Sequence, residues 1–143
     1  MQVMQILKQK GAEVTTMAAD ATLADAVRVL NEKRIGAVVI TGRLGDIEGI
    51  LSERDLVHAL AEREIDLATV RISALMTRQV FTCTPETSIE ELMRQMTQRR
   101  IRHLPVLNGG MLCGIISIGD VVKHRLMELE SETTTLREYI GGR

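Results

Sequence analysis

The chain has 143 residues, a formal net charge of −1 and 45% hydrophobic residues, enough for one compact domain or two half-sized units around a packed interior. Aromatics are only 1%, Phe81 and Tyr139, so the core is aliphatic and the stacking platforms that single-stranded nucleic acid needs are missing. The near-zero charge gives no global pull towards nucleic acid or an anionic membrane, no apolar run approaches the ~20 residues of a bilayer span, and Met1–Lys10 lacks a secretory core, so a cytoplasmic protein with two reduced, buried thiols, Cys83 and Cys113, is expected.

In chain order, a short helix is expected over about Val3–Lys10, then an extended piece at Val14–Thr16 and a polar turn. Thr22 reads as a helix N-cap with Asp25 three residues on, and the helix carries an apolar stripe at Leu23, Ala26, Val27 and Leu30. Two strands, Ala37–Thr41 and Ile47–Leu51, flank a glycine-containing turn, and a second helix begins at Ser52. After a linker from Ala61 to Gln79 the series runs again. It comprises an extended Val80–Thr82, a cap at Ser88 with Glu91, and a stripe at Ile89, Leu92, Met93 and Met96. Strands Leu104–Leu107 and Met111–Ile116 and a helix from Ser117 follow. A C-terminal helix ends near Ile140, stopped by Gly141-Gly142.

The series is an internal repeat. A shift of 66 residues lays Val14–Ile40 on Val80–Val106, and a shift of 65 lays Gly49–Val57 on Gly114–Val122. Ten of the 36 paired positions are identical, among them Arg34/Arg100, Ser52/Ser117 and Asp55/Asp120, and the one-residue slip falls in a hairpin turn, where indels are tolerated. Each copy is β-α-β-β-α. One copy of ~50 residues leaves its sheet exposed, whereas two packed sheet to sheet cover both faces. The expected fold is therefore mixed α+β, an intramolecular pseudo-dimer with two related clefts at its seam. Residues 1–67 hold the N-terminal helix and first copy, residues 68–143 the linker, second copy and C-terminal helix, and together they form one module.

The clearest local motif is Gly-φ-φ-Ser-x-x-Asp, at Gly49–Asp55 and Gly114–Asp120. Serine as N-cap with aspartate at the third helical position is a good helix start in itself. The same start offers free N–H groups and a positive dipole end to an anion, and its carboxylate can accept two hydrogen bonds from a ribose diol. A phosphate beside that carboxylate needs compensating cations. Arg99-Arg100-Ile101-Arg102-His103 supplies them, Arg102 and His103 at a strand entrance between Ile101 and Leu104. His58 and His124 fall on the second helices and are expected on a solvated surface. No nucleophile elbow or metal-ligand spacing is present, so no catalysis is expected.

The ordering apolar-x-x-Leu-Pro-Val, hairpin, Gly-φ-φ-Ser-x-x-Asp, paired over Val14 to about Glu130, resembles the tandem pair of CBS (cystathionine-β-synthase) domains, of the stand-alone bacterial type. The resemblance implies a non-catalytic regulatory module that binds AMP, ADP, ATP, NAD(H) or S-adenosyl compounds between its repeats. It implies a crossed site of Ile50, Ser52 and Asp55 with Val80, Phe81, Thr82, Arg102, His103, Leu104 and Pro105. There Asp55 holds the ribose, Ser52 and the basic pair hold phosphate, and the Val80–Thr82 backbone reads adenine. A second site would join Ile115, Ser117 and Asp120 to Val14, Thr16, Asp20, Gly36, Ala37 and Val38, with Arg54 reaching across. Gly36-Ala37 in place of Arg102-His103, and Val39 in place of Pro105, make the sites unequal. The first is expected to favour a compact nucleotide such as AMP, the second a different one such as NAD(H). A homodimer formed through helices, with an unknown regulated protein as partner, is also implied. A homodimeric scaffold indifferent to nucleotides is the alternative.

Overall fold

The computed structural model describes residues 1–141. Its elements are α1 (Val3–Lys10), β1 (Thr16–Met17), α2 (Leu23–Lys33), β2 (Ala37–Thr41), β3 (Ile47–Ser52) and α3 (Glu53–Glu62). A single 3₁₀ turn (Ile72–Ala74) is followed by α4 (Ile89–Arg99), β4 (His103–Asn108), β5 (Met111–Ser117) and α5 (Ile118–Gly141). The doubled plan is present as two small sheets, each with its own helices, with the first strand of the second copy reduced to a single bridge.

The caps form where the sequence places them. Thr22 Oγ1 accepts from the Asp25 N–H at 3.1 Å, and the Asp25 carboxylate accepts from the Thr22 N–H at 3.1 Å. Ser88 accepts from the Glu91 N–H at 3.1 Å, but the Glu91 carboxylate turns to Arg94 at 2.7 Å and leaves the box half made. Three positions of each stripe are buried, Leu23, Ala26 and Leu30, and Ile89, Leu92 and Met96. Val27 and Met93 instead face outward, because at 100° per residue they lie roughly 65° from the centre of the other three. Both helices end on an arginine in the left-handed region, Arg34 at φ 54° and Arg100 at φ 53°.

The first sheet runs β1-β2-β3, with β1 parallel and β3 antiparallel to β2. The second holds only β4 and β5. The extended piece expected at Val80–Thr82 forms no strand, and a single parallel bridge, Cys83 to Val106, takes its place. Pro105 is the reason. In the first half the Val39 N–H donates to the Thr15 carbonyl at 3.3 Å, and 66 residues further on that donor is a proline without an N–H.

Each half has its own core, and the flanks cross. Leu23, Leu30, Val38, Ile40, Leu51 and Leu56 pack with Ile72 and Met76 from the linker. Ile89, Leu92, Leu104, Val106, Ile116 and Val121 pack with Val3 and Ile6 from α1. The N-terminal helix, which precedes the first copy in sequence, therefore lies on the second in space. The Val3 and Met4 N–H groups donate to the Thr87 and Pro85 carbonyls, both at 2.9 Å. The linker is tied to the first half by Ile72 N–H to the Ala21 carbonyl, 2.8 Å, and Ser73 N–H to the Ala19 carbonyl, 2.9 Å. The repeat reaches into these flanks: a 66-residue step carries Ile6 onto Ile72, and both are fully buried.

β2 is buried on both faces from Ala37 to Ile40. Val38 and Ile40 face their own core, so by strand alternation Ala37 and Val39 face the seam, as does Pro105 on β4. The second helix of copy two and the C-terminal helix are one continuous helix, α5, and Gly141 belongs to it; Gly142 lies outside the described residues. His124 is not on a solvated surface. It is 2% exposed because α1 covers it, with Nε2 2.7 Å from Gln9 Oε1 and Nδ1 2.8 Å from the Asp120 carbonyl. Cys83 is buried, its thiol pushed up to about 12 by burial, while Cys113 is only half-buried. Among the described residues no helix is long and apolar enough to cross a membrane.

Candidate functional site

Where β3 runs into α3, Ser52 keeps an extended backbone, φ −110°, and caps the helix. Its Oγ accepts from the Asp55 N–H at 3.3 Å, and Asp55 Oδ2 accepts from the Ser52 N–H at 2.9 Å and the Ser52 hydroxyl at 3.1 Å. All three bonds leave Asp55 Oδ1 without a protein partner among the described residues.

Asp55 opens onto a cavity of about 300 Å³ at the seam. The first half contributes Ile50, Ser52, Glu53, Arg54, Asp55 and His58, and the second contributes Arg100, Ile101, Arg102 and His103. The linker passes between them with Thr77, Gln79, Val80 and Phe81. Ile50 and Thr77 exchange backbone hydrogen bonds at 3.0 and 2.9 Å, which pins the linker to β3. Gly49 permits that approach, since a Cβ there would sit 2.9 Å from the Thr77 carbonyl oxygen. The Arg99 guanidinium lies 3.8 Å from the centre of the Phe81 ring and fixes that wall.

The lining mixes three guanidinium groups with the carboxylates of Glu53 and Asp55. His103 sits among them, its pKa lowered chiefly by burial against the upward pull of Glu53. Gly36 meets the imidazole from the other half: a Cβ there would lie 3.2 Å from His103 Nε2.

Of the residues expected in the first site, Ile50, Ser52, Asp55, Val80, Phe81, Arg102 and His103 line this one cavity. Thr82, Leu104 and Pro105 do not. Leu104 belongs to the second core, Pro105 is buried with its carbonyl accepting from the Cys83 N–H at 3.0 Å, and Thr82 is half-buried. Glu53, His58, Thr77 and Gln79 also line the cavity and were not singled out from the sequence, while Arg100 and Ile101 belong to the basic run expected to compensate a phosphate. His58 lies one helical turn beyond Asp55, a spacing that puts both on one face. Thr77 and Gln79 carry no motif; only extending the repeat offset into the flanks would have pointed to them.

The residues expected in the second site are arranged differently. Asp120 Oδ2 accepts from the Ser117 N–H at 2.9 Å, and Ser117 Oγ from the Asp120 N–H at 3.2 Å, repeating the first junction. Lys10, at the end of α1, then places Nζ 2.7 Å from Asp120 Oδ2 and 2.9 Å from the Ile115 carbonyl oxygen. Burial alone would raise the Asp120 carboxyl, but Lys10 and Ser117 outweigh it and hold it below the usual carboxylate range. Thr16 and Asp20 line an edge cleft with Thr41, Gly42, Arg43 and Glu48, a cleft that does not include Asp120. Val14 is half-buried, Ala37 and Val38 are buried, and Arg54 lines the first cavity. Among the described residues no group of three or more side chains is placed to hold a metal ion.

The CBS domain family model matches the chain twice, over residues 5–62 and 72–126. A CBS-domain containing protein from Agrobacterium tumefaciens superposes with a TM-score of 0.84 at 42% identity, over 87% of this chain and 99% of that one. The mitochondrial CBS domain-containing protein CBSX3 of Arabidopsis thaliana is 34% identical over 127 residues, 86% of this chain. This chain spans 62% of that relative's length and 33% of a Thermofilum pendens relative. The CBS domain pair of protein MJ0100, solved with 5′-methylthioadenosine and S-adenosyl-L-methionine, shares the fold at a TM-score of 0.79 and 22% identity, over 90% of this chain and 98% of that one.

Proposed function

The chain belongs to the CBS-domain family, with two copies forming one module, and from that premise we propose that it is a non-catalytic regulatory sensor for an adenosine-containing ligand. One observation carries the reading: a single crevice joins a half-engaged carboxylate, Asp55, on one repeat to Arg100, Arg102 and His103 on the other. Asp55 Oδ1 accepts the ribose diol. The start of α3 and the cations opposite take phosphate, joined by the Ser52 hydroxyl once its proton turns from Asp55. Val80 and Phe81 lie along the adenine side. A cavity of about 300 Å³ is at the small end of ligand pockets, which favours AMP over NAD(H) or ATP. A second reading, an S-adenosyl compound, has one observation behind it: Glu53 lies in the same crevice and suits a sulfonium.

The test is a thermal-unfolding screen of the purified chain with AMP, ADP, ATP, NAD(H) and S-adenosylmethionine. A true ligand at about 100 times its Kd adds roughly 2.7 kcal/mol of stability, and Asp55→Ala removes the shift. No shift with any of these leaves the nucleotide-indifferent scaffold as the reading.

The partner we propose is a second copy, joined along α5. Val122, Leu126, Leu129, Thr133, Leu136 and Ile140 are exposed and recur at alternating steps of four and three, a heptad seam on the side opposite buried Val121 and His124. In a parallel pair of identical helices, Arg125 faces Glu130 and Glu132 faces Arg137, opposite charges in both cases. Arg125 also pairs within the chain with Glu128 at 2.7 Å, so Glu132 and Arg137 are the stronger register marker.

A further inference from the structure

The two Ser-x-x-Asp junctions are built alike and partnered differently. Among the described residues no cation lies within ion-pair distance of Asp55, whereas Lys10 Nζ is 2.7 Å from Asp120 Oδ2. The repeat shows how this arises. A 66-residue step carries Lys10 onto Met76 and Gly11 onto Thr77. In the first half the Thr77 N–H satisfies the Ile50 carbonyl at 2.9 Å; in the second, the equivalent Ile115 carbonyl takes the Lys10 ammonium, also at 2.9 Å. One half thus fills this place with a backbone amide and a buried thioether, the other with a charge.

We propose that Lys10 is the residue that decides which Ser-x-x-Asp junction accepts a nucleoside. Its ammonium on Asp120 Oδ2 leaves Oδ1 unpartnered among the described residues, as at Asp55, but neutralises the carboxylate and weakens it as an acceptor for a ribose diol, so the chain binds one ligand, at Asp55. The claim rests on the adenosine-sensor reading and deepens it. A neutral diol offers two ordinary hydroxyl donors, while the ammonium makes a charge-assisted bond to the carboxylate and a second to the Ile115 carbonyl. The pair is partly withdrawn from water, with side chains 29% and 21% exposed, which shields it from the screening that weakens surface ion pairs. A diol that displaced Lys10 would also leave the Ile115 carbonyl without its donor.

Lys10→Met is the informative variant, because methionine stands at the equivalent position of the other half and keeps the apolar stem. Calorimetric titration with AMP should give one site per chain in the wild type, lost in Asp55→Ala. Lys10→Met should gain a second site that Lys10→Met/Asp120→Ala lacks, and Lys10→Met/Asp55→Ala should keep one. Two sites in the wild type, or one site in both wild type and Lys10→Met, would overturn the proposal while leaving the sensor reading standing. No AMP binding to any of these proteins would remove the reading on which it rests. A ligand-free readout runs beside it: Lys10 is one of the charges lowering His103, so Lys10→Met should move the His103 NMR titration upward, and an unmoved midpoint would contradict the placement of the ammonium.

Discussion

Asp55 and Asp120 close the same kind of cap on Ser52 and Ser117, through N–H to carboxylate bonds of 2.9 Å in each case, yet only Asp120 meets an ammonium. The carboxylate without a cation partner among the described residues is the one facing the crevice. Asp55→Asn keeps the cavity shape and removes the charge that organises it. We expect ligand affinity to fall by about 30-fold or more, with stability reduced by only about 1 kcal/mol as the cap weakens. Calorimetry and urea unfolding of the same sample separate the two effects.

Gly49 and Gly114 are equivalent in the repeat, but their neighbours differ. A Cβ at Gly49 meets the Thr77 carbonyl oxygen at 2.9 Å, a backbone atom that cannot step aside; at Gly114 it meets Leu7 Cδ2 at 2.6 Å, the end of a flexible side chain. Gly49→Ala should therefore cost more, in the range of about 1–3 kcal/mol, and should also weaken ligand binding because Thr77 lines the crevice. Gly114→Ala should cost less and leave affinity unchanged. Equal losses in denaturant titrations would contradict the difference.

Arg34 and Arg100 sit in the left-handed region, where a side chain costs about 1–2 kcal/mol relative to glycine's freedom. Arg34→Gly should raise the unfolding midpoint. Arg100→Gly should raise it as well but weaken binding of a phosphate-bearing ligand, because Arg100 lines the crevice. A stabilised variant with undiminished affinity would take Arg100 out of the site.

His103 has its pKa lowered by burial, so the folded chain resists a proton that the unfolded chain accepts. The stability this contributes is complete above the ordinary value of 6.5 and is lost as pH falls from there towards the folded value. A bound phosphate adds a negative charge beside the imidazole, offsets the cost of burial and favours the imidazolium. Binding should therefore take up protons and tighten as pH drops from about 7.5 to 6. Titrations in buffers of different ionisation enthalpy measure that uptake, and His103→Gln should abolish it.

Leu129→Glu and Leu136→Glu place charge in the proposed seam on α5, on residues 42% and 59% exposed in the single chain. The monomer should keep its stability within about 0.5 kcal/mol, whereas the dimer should dissociate. Sedimentation velocity gives the answer; an unchanged dimer would place the contact elsewhere.

Much of the fold was legible because the repeat was. The resemblance to the CBS pair implied that Ser52, Asp55, Arg102 and His103 share one crevice, and they line one cavity. The lost strand at Val80–Thr82 was readable too, had Pro105 been weighed as a missing donor as well as a motif residue. The rest was hidden for physical reasons. Lys10 meets Asp120, and Gln9 meets His124, only because α1 crosses to the second half, and an eight-residue helix carries no label saying which core its two buried side chains, Val3 and Ile6, will enter. Thr77 is held beside the crevice by backbone bonds to Ile50, which side-chain patterns do not reveal.

The crossing of α1 and the linker has a mechanical consequence. Each half has its interior sealed by a plug, Ile6 or Ile72, delivered by the chain segment leading into the opposite half. The halves are interlocked like two links that hold each other's clasps, so pulling them apart means unsealing both at once. A peptide cut near residue 65 should therefore leave two fragments that fold only in each other's company, and separate refolding of either fragment, followed by circular dichroism, checks it.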